Sequence, residues 1–171
     1  MDSFDSESIM SESDKTELIV AAESGNLVKL NEILANPPED FDIEAYSDYD
    51  GQSMRALDYA CQEGHLDIVK ALMNNGADYN GYHDFPPIIF AVQNGTFEGP
   101  RETWSSHWDV IQFLILECNV DPSGDNHHPS AHTNVFETPM SLDLEAFFTA
   151  QIDIWNIMQA SENPGAPVMI E

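Results

Sequence analysis

ALDYACQEGHLDIVKALMNNGADYN, residues 56–80, contains two short apolar stripes at helical spacing. The first stripe ends before Gly64 and the second begins after His65, so the pattern predicts two amphipathic helices joined by a tight turn. Gly76 is placed to end the second helix in the left-handed conformation that glycine tolerates. Two helices of this size cannot bury their apolar faces alone. Further helices are therefore expected to stack against them.

Copies of this pattern recur along the chain, and they identify the stacking partners. Residues 17–36 (ELIVAAESGNLVKLNEILAN) match residues 56–75 position by position, with Gly25 aligned on Gly64. A third copy opens with PPIIFAVQNG, residues 86–95. Self-similarity of this kind is typical of a solenoid built from repeated helix pairs.

The third and fourth copies are less regular. The second helix of the third copy (HWDVIQFLILECNVD, 107–121) comes late because residues 96–106 (TFEGPRETWSS) are inserted before it. A fourth, weaker copy begins at residues 138–143 and ends in an apolar stripe. The predicted organisation is an acidic N-terminal tail at 1–13, repeats at about 14–47, 48–83, 84–124 and 137–160, and a C-terminal tail at 161–171.

A family resemblance rests on these residues. The run EGHLDIVKALMNNGADYN (63–80) resembles the second half of an ankyrin repeat almost throughout, and TPM at 138–140 resembles a degenerate form of its Thr-Pro-Leu-His start. Arg55 and Pro86 stand where that family has threonine, and Asp58 stands where it has histidine. The resemblance implies an all-α fold, a short ankyrin-like solenoid of stacked helix pairs with finger loops. A plain all-α helical repeat is the alternative.

The resemblance also implies a protein-binding surface. In the family, the loops between repeats project as fingers, which form a concave face together with the inner helices. The fingers are placed here at 37–52, 78–86 and 121–137, and the first one interleaves acidic and aromatic residues that suit contact with Arg and Lys. The residues predicted to contact a partner are Asp40, Asp42, Glu44, Tyr46, Asp48, Tyr49, Asp50, Asp84 and Trp104.

The insertion at 96–106 admits two interpretations. It brings Phe97, Arg101 and Trp104 close to Trp108 in sequence. The rings could pack beneath the loop, which is the usual place of tryptophan and the favoured interpretation. Alternatively, Trp104 could anchor a partner, since Trp and Arg are enriched at binding hot spots.

Charge restricts the partners. The chain has 31 acidic and 5 basic residues, a formal net charge of −26. Such a charge repels DNA, RNA and anionic lipid surfaces, so neither direct nucleic-acid binding nor membrane binding is expected. A basic protein is the expected partner, and the oligomeric state is left open.

Three explanations of the acidity remain. The first is imitation of nucleic acid, since 26 charges match the phosphates of about 13 base pairs, roughly 44 Å of duplex. On that hypothesis the protein inhibits a nuclease or another nucleic-acid-binding enzyme by DNA mimicry, as viral or mobile-element anti-defence proteins do. The alternative is an ordinary ankyrin scaffold that recruits one protein partner. Adaptation to high salt ranks last.

No catalytic motif is recognisable. The sequence contains no Gly-rich phosphate loop, no nucleophile elbow and no Cys-x-x-Cys motif. His127, His128 and His132, with Asp121 and Asp125, could hold zinc or nickel, but a polar loop is the favoured interpretation because no Cys ligand accompanies them. No enzyme activity, metal or cofactor is therefore expected.

The sequence also predicts a cytoplasmic protein, or one in the host cytoplasm if it is viral. Residues 1–17 are acidic and have neither the basic region nor the apolar core of a secretory signal. No apolar run approaches the length of a membrane span. Cys61 and Cys118 lie among apolar helix residues, which favours reduced, buried thiols over a disulfide.

Overall fold

The computed structural model describes residues 15–49, 52–79, 86–98, 101–123 and 141–162, which form helices and one β-hairpin. The hairpin pairs two antiparallel strands, with Tyr46 opposite Arg55, and it forms the end of the first predicted finger. The helices are α1 (Glu17–Glu23), α2 (Leu27–Ala35), α3 (Ala56–Gln62), α4 (Leu66–Asn74), α5 (Pro87–Asn94), α6 (His107–Leu116) and α7 (Leu142–Glu162). The strands are β1 (Tyr46–Tyr49) and β2 (Gln52–Arg55), and a short 3₁₀ helix spans Arg101–Thr103.

The first six helices form three stacked pairs. In one layer α1 packs on α3 and α3 on α5, and in the other α2 packs on α4 and α4 on α6. Small side chains let the inner helices approach closely, since Ala22, Ala60 and Ala91 are fully buried. The expected all-α solenoid of stacked helix pairs is confirmed in this part of the chain.

Glycine and histidine set the register between successive pairs. Gly25 and Gly64 both have φ of +70°, which glycine adopts at little cost. The His65 ring occupies the space where a Cβ on Gly25 would stand, at 2.9 Å, and His107 lies in the same way against Gly64, at 3.0 Å. Each imidazole Nε2 donates to a carbonyl two residues before that glycine. The acceptor is the Glu23 oxygen for His65 (3.3 Å) and the Gln62 oxygen for His107 (2.7 Å).

The insertion changes the third pair without disturbing this register. Gly95 ends α5 with an ordinary φ of −75°, and the Phe97 ring packs over it, so glycine is needed there for space. The chain then passes through the 3₁₀ helix, and His107 still reaches the second pair. The delayed second helix predicted for this repeat is present as α6.

The region of the predicted fourth copy differs from the prediction. Residues 142–162 form one continuous helix, α7, instead of a helix pair, and this corrects the sequence interpretation. The reason is local, because no glycine or proline interrupts this stretch as Gly25 and Gly64 interrupt the first two repeats. Leu144 and Phe148 in its first half are fully buried, whereas Ile157 near its end is 69% exposed. None of the described helices is both long enough and apolar enough to cross a lipid bilayer.

Candidate protein-binding surface

A buried ion pair joins the first finger to α3. Arg55, the last residue of β2, directs Nε and Nη2 at the two carboxylate oxygens of Asp58, at 3.0 and 3.1 Å. The backbone N–H of Arg55 also donates to Asp58, at 2.8 Å, and this contact satisfies a donor that the start of a helix leaves free. Both residues are at most 3% exposed. The two departures from the ankyrin pattern at this turn therefore compensate each other.

Glu44 extends this pair into a network across the repeat. Its Oε2 accepts from Arg55 Nη1 at 2.6 Å, and its Oε1 accepts from the backbone N–H of Asp78 at 2.8 Å. The same Nη1 donates to the Asp78 carbonyl oxygen at 2.9 Å. The network thus links the first finger, the start of α3 and the segment after α4. Glu44, predicted as a partner contact, has both carboxylate oxygens engaged within the chain.

Burial and charge act in opposite directions on the ionisation of the network. Burial lowers the pKa of Arg55, but the carboxylates of Asp58 and Glu44 outweigh it, so the pKa lies above its ordinary value. Burial raises the pKa of Asp58, and the opposing attraction of Arg55 does not cancel this increase. The carboxylate of Asp58 therefore depends on Arg55 for its charged state.

The other predicted contact residues of the first finger fall into two groups. Asp40 and Asp42 are exposed, and the Tyr46 side chain is 54% exposed. Asp42 also accepts from the Glu44 backbone N–H at 2.9 Å, which shapes the local turn. Asp50 and Asp84, together with the side chains of Asp48 and Tyr49, lie outside the described part of the structure. Their role in binding stays a prediction.

Trp104 is an interior residue. It is 9% exposed, and its ring makes edge contacts with Phe97 and Trp108 at centroid distances of 5.4 and 4.9 Å. The ladder of rings continues from Trp108 to Phe147 of α7 at 4.7 Å. Arg101 lies over the Trp104 and Trp108 rings at 5.6 and 5.4 Å. The packing interpretation is confirmed, and Trp104 as an exposed partner anchor is wrong.

All five basic side chains of the protein have partners within the chain. Lys15, Lys29 and Arg55 pair with carboxylates, while Lys70 and Arg101 lie over aromatic rings. The carboxylate partners are Glu23 for Lys15, Glu17 for Lys29, and Asp58 with Glu44 for Arg55. Because 31 acidic residues face only 5 basic ones, most of the negative charge is not compensated by a cation of the protein.

A groove of about 520 Å³ lies between α1, α2 and the first finger. Its apolar lining includes Leu18, Ile33 and Phe41. Its charged lining consists of Glu17, Lys29, Glu32, Asp40 and Asp42. Sequence reasoning found Asp40 and Asp42 but missed the helical residues, because their periodicity indicates a helix face without showing that a loop closes over one side of it.

The structure describes only some of the residues that were considered for metal binding or for a disulfide. The histidine-rich loop lies within 124–140, outside the described residues. Among the residues that are described, no group of three or more His, Cys, Asp or Glu is arranged to hold a metal ion. Cys61 and Cys118 are free thiols, and burial raises the pKa of Cys61 well above its ordinary range.

A stack of helix pairs with a hairpin finger and a concave acidic groove defines the class of helical-repeat protein-binding modules. Residues 4–83 match the family model for ankyrin repeats, described as three copies. This part of the chain therefore consists of ankyrin repeats, and ankyrin repeats themselves bind proteins and are non-catalytic.

Three plant proteins are similar to this chain. The probable E3 ubiquitin-protein ligase XBOS33 of Oryza sativa subsp. japonica is 33% identical over 106 residues, 60% of this chain and 18% of the relative. XBAT33, an E3 ubiquitin-protein ligase of Arabidopsis thaliana, is 32% identical over 105 residues, with the same two shares. The probable E3 ubiquitin-protein ligase XBOS32 of Oryza sativa subsp. japonica is 26% identical over 159 residues, 88% of this chain and 29% of the relative. The chain thus spans less than a third of each of these relatives.

Proposed function

We propose that this chain is a non-enzymatic module that binds a basic surface of another protein. One observation carries the proposal: every basic side chain of the protein is engaged within the chain, while Asp40, Asp42 and Glu32 face solvent around a groove. Opposite charge across an interface accelerates association and excludes acidic competitors. The partner that such a surface selects is one rich in exposed Lys and Arg.

The finer form of the proposal is inhibition by DNA mimicry. A nucleic-acid-binding enzyme, such as a nuclease, exposes the Lys and Arg side chains that contact phosphates. An acidic module that binds those Lys and Arg side chains prevents nucleic acid from binding at the same site of the enzyme. Support for this form comes from the net charge of −26.

Competition with duplex DNA tests the function. The immobilised protein is loaded with binding partners from a cell lysate and then washed with duplex DNA at two salt concentrations, about 50 and 200 mM. We expect captured nucleic-acid-binding proteins to be released by DNA and their binding to weaken steeply with salt. Retention of all partners in the presence of DNA contradicts mimicry. Binding that is insensitive to salt contradicts the basic-surface proposal as a whole.

The similarity to three proteins named as E3 ubiquitin-protein ligases favours a second candidate, an ordinary recruiting scaffold. In this form the ankyrin repeats hold one protein so that it can be brought to a ubiquitin-transfer machinery. The matching test adds the captured partner to a reconstituted ubiquitination reaction, with and without this chain. Modification that depends on the chain supports recruitment, and unchanged modification contradicts it.

A further inference from the structure

The groove beside α1 and α2 combines an apolar floor with an acidic rim. Leu18 and Ile33 form part of the floor and are 4% and 9% exposed, and Phe41 is partly buried against the core. A volume of about 520 Å³ lies within the range of clefts that enclose a small ligand, roughly 300–1,000 Å³. The space is therefore large enough to take a bulky apolar side chain of a partner.

The acidic rim favours an occupant with positive charge. Glu17, Glu32, Asp40 and Asp42 line the groove against a single cation, Lys29, so the lining carries three net negative charges (four minus one). Lys29 is held by Glu17 at 3.0 Å and cannot neutralise the other carboxylates fully. An occupant that brings Lys or Arg beside its apolar side chain matches both the floor and the rim.

Charge also decides among the candidate occupants. Residues 1–14, which precede α1, contain five acidic and no basic residues, so they carry the same sign as the rim. A second copy of this chain is equally unsuitable, since its net charge is −26. A basic segment from another protein is the one occupant of opposite sign.

We infer that this groove binds a basic peptide segment through one large apolar side chain flanked by Lys or Arg. The inference rests on the proposed function and adds the place of contact and the pattern that is recognised. Every residue that lines the groove lies between Thr16 and Ala45, within the first repeat and its finger. Substitutions there can therefore be compared with equivalent substitutions on the second and third repeats.

The probe is a fluorescein-labelled peptide, Gly-Lys-Arg-Ser-Phe-Ser-Arg-Lys-Gly, titrated with the full chain and followed by anisotropy. A second peptide replaces Phe by Gly, and a third replaces every Lys and Arg by Glu. We expect the first peptide to bind at least tenfold more tightly than the second, and the third not to bind. Equal affinity of the first two peptides overturns the inference, because the apolar floor then contributes nothing.

Two matched pairs of variants locate the contact. Asn36→Trp places a large ring at the groove, whereas Asn75→Trp makes the same change at the corresponding exposed end of α4. Glu32→Gln/Asp40→Asn removes two charges from the rim, and Asp109→Asn/Glu117→Gln removes two exposed charges from α6 and its end. We expect each groove variant to weaken the first peptide at least tenfold and each control to weaken it less than twofold.

The outcomes separate the two proposals. If both charge pairs weaken binding equally and Asn36→Trp has no effect, the groove inference is wrong and the acidic-surface function stands. If neither basic peptide binds at low salt, both proposals are wrong. Sedimentation velocity tests whether a second copy of the chain occupies the groove. A wild-type dimer that Asn36→Trp converts to a monomer would show this and would contradict the inference.

Discussion

The middle and the last helix pairs of the repeat stack are held together by opposite chemistry. At the middle pair, where the first finger meets α3, buried Arg55 and Asp58 form a charged network with the partly exposed Glu44 through three contacts. At the third pair, Trp108 of α6 packs edge-on against Trp104 and against Phe147 of α7. Breaking a buried ion pair leaves an unpaired charge, whereas truncating an aromatic ring leaves a cavity. Losses of stability of similar size can therefore differ in their dependence on pH.

The largest effect is expected at the charged network. Arg55→Met leaves the Asp58 carboxylate buried without its cation, which should lower the free energy of unfolding by about 3–5 kcal/mol in urea titrations at neutral pH. Loss of Arg55 also raises the folded-state pKa of Asp58 further above its unfolded value. An acid shifted in this direction destabilises the fold increasingly from its unfolded-state pKa upward, and the full cost is present above its folded-state pKa. The deficit relative to wild type should therefore shrink as the pH falls from 7 through that pKa.

A second variant serves as the control for this prediction. Arg55→Met/Asp58→Leu removes the buried carboxylate together with its partner and should recover much of the lost stability. A deficit in Arg55→Met that stays constant with pH would show that packing, not the unpaired charge, is responsible.

The aromatic ladder should give a loss of similar size with no pH dependence. Trp108→Ala removes a ring that is 8% exposed and contacts two others, at an expected cost of about 3–5 kcal/mol. Urea titrations at pH 7 and at about pH 5 should give the same deficit relative to wild type. A deficit that changes with pH as in Arg55→Met would remove the contrast between the charged network and the aromatic ladder.

The stacking register between the second and third pairs is tested by a pair of glycines. Gly64→Ala forces alanine into a left-handed backbone conformation, which should lower the stability by about 1–2 kcal/mol. Its Cβ also comes too close to Ser106 and His107, which should cost about 1–3 kcal/mol more. Gly76→Ala at φ +90° has no neighbour within 4 Å of the added Cβ and should carry only the first cost. Thermal or urea unfolding measures both. Equal losses would mean that the His107 contact does not hold the register.

The smallest effect is expected beyond the aromatic ladder. Ile157→Ala, on the exposed second half of α7, should change stability by less than about 0.5 kcal/mol. Phe148→Ala, in the buried first half of the same helix, should cost about 3–5 kcal/mol. A large loss in Ile157→Ala would show that this face of α7 is covered in solution.

Local pattern explains what could be predicted of the fold. The turns at Gly25 and Gly64 follow from residues adjacent in sequence, and so do the helices on either side. The same reasoning fails at α7, where the apolar stripe predicts a helix pair but no glycine or proline separates its two halves, so one helix forms. Gly95 shows a further limit, because it recurs at the position of Gly25 and Gly64 but has an ordinary φ. Glycine is needed there to make room for the Phe97 ring.

The candidate site was predicted less completely, because it depends on contacts between distant residues. Glu44 and Asp78 are 34 positions apart, and only the folded chain shows that the Glu44 carboxylate accepts from the Asp78 N–H. Trp104 was a candidate anchor by composition, but packing on Phe97 and Trp108 buries it. The sequence predicts Asp40 and Asp42 as partner contacts, but it does not predict that they line the same groove as Glu32.

The amino-acid sequence alone is enough to predict the first three helix pairs, the turns at Gly25 and Gly64 and the excess of 26 negative charges. Each of these properties depends on composition or on residues within a few positions of one another. Only the folded chain shows which acidic side chains bond within the protein and which aromatic rings are buried. It also shows where apolar and acidic residues line one groove. Those properties depend on distances in space, and the chain fixes such distances only when its repeats stack.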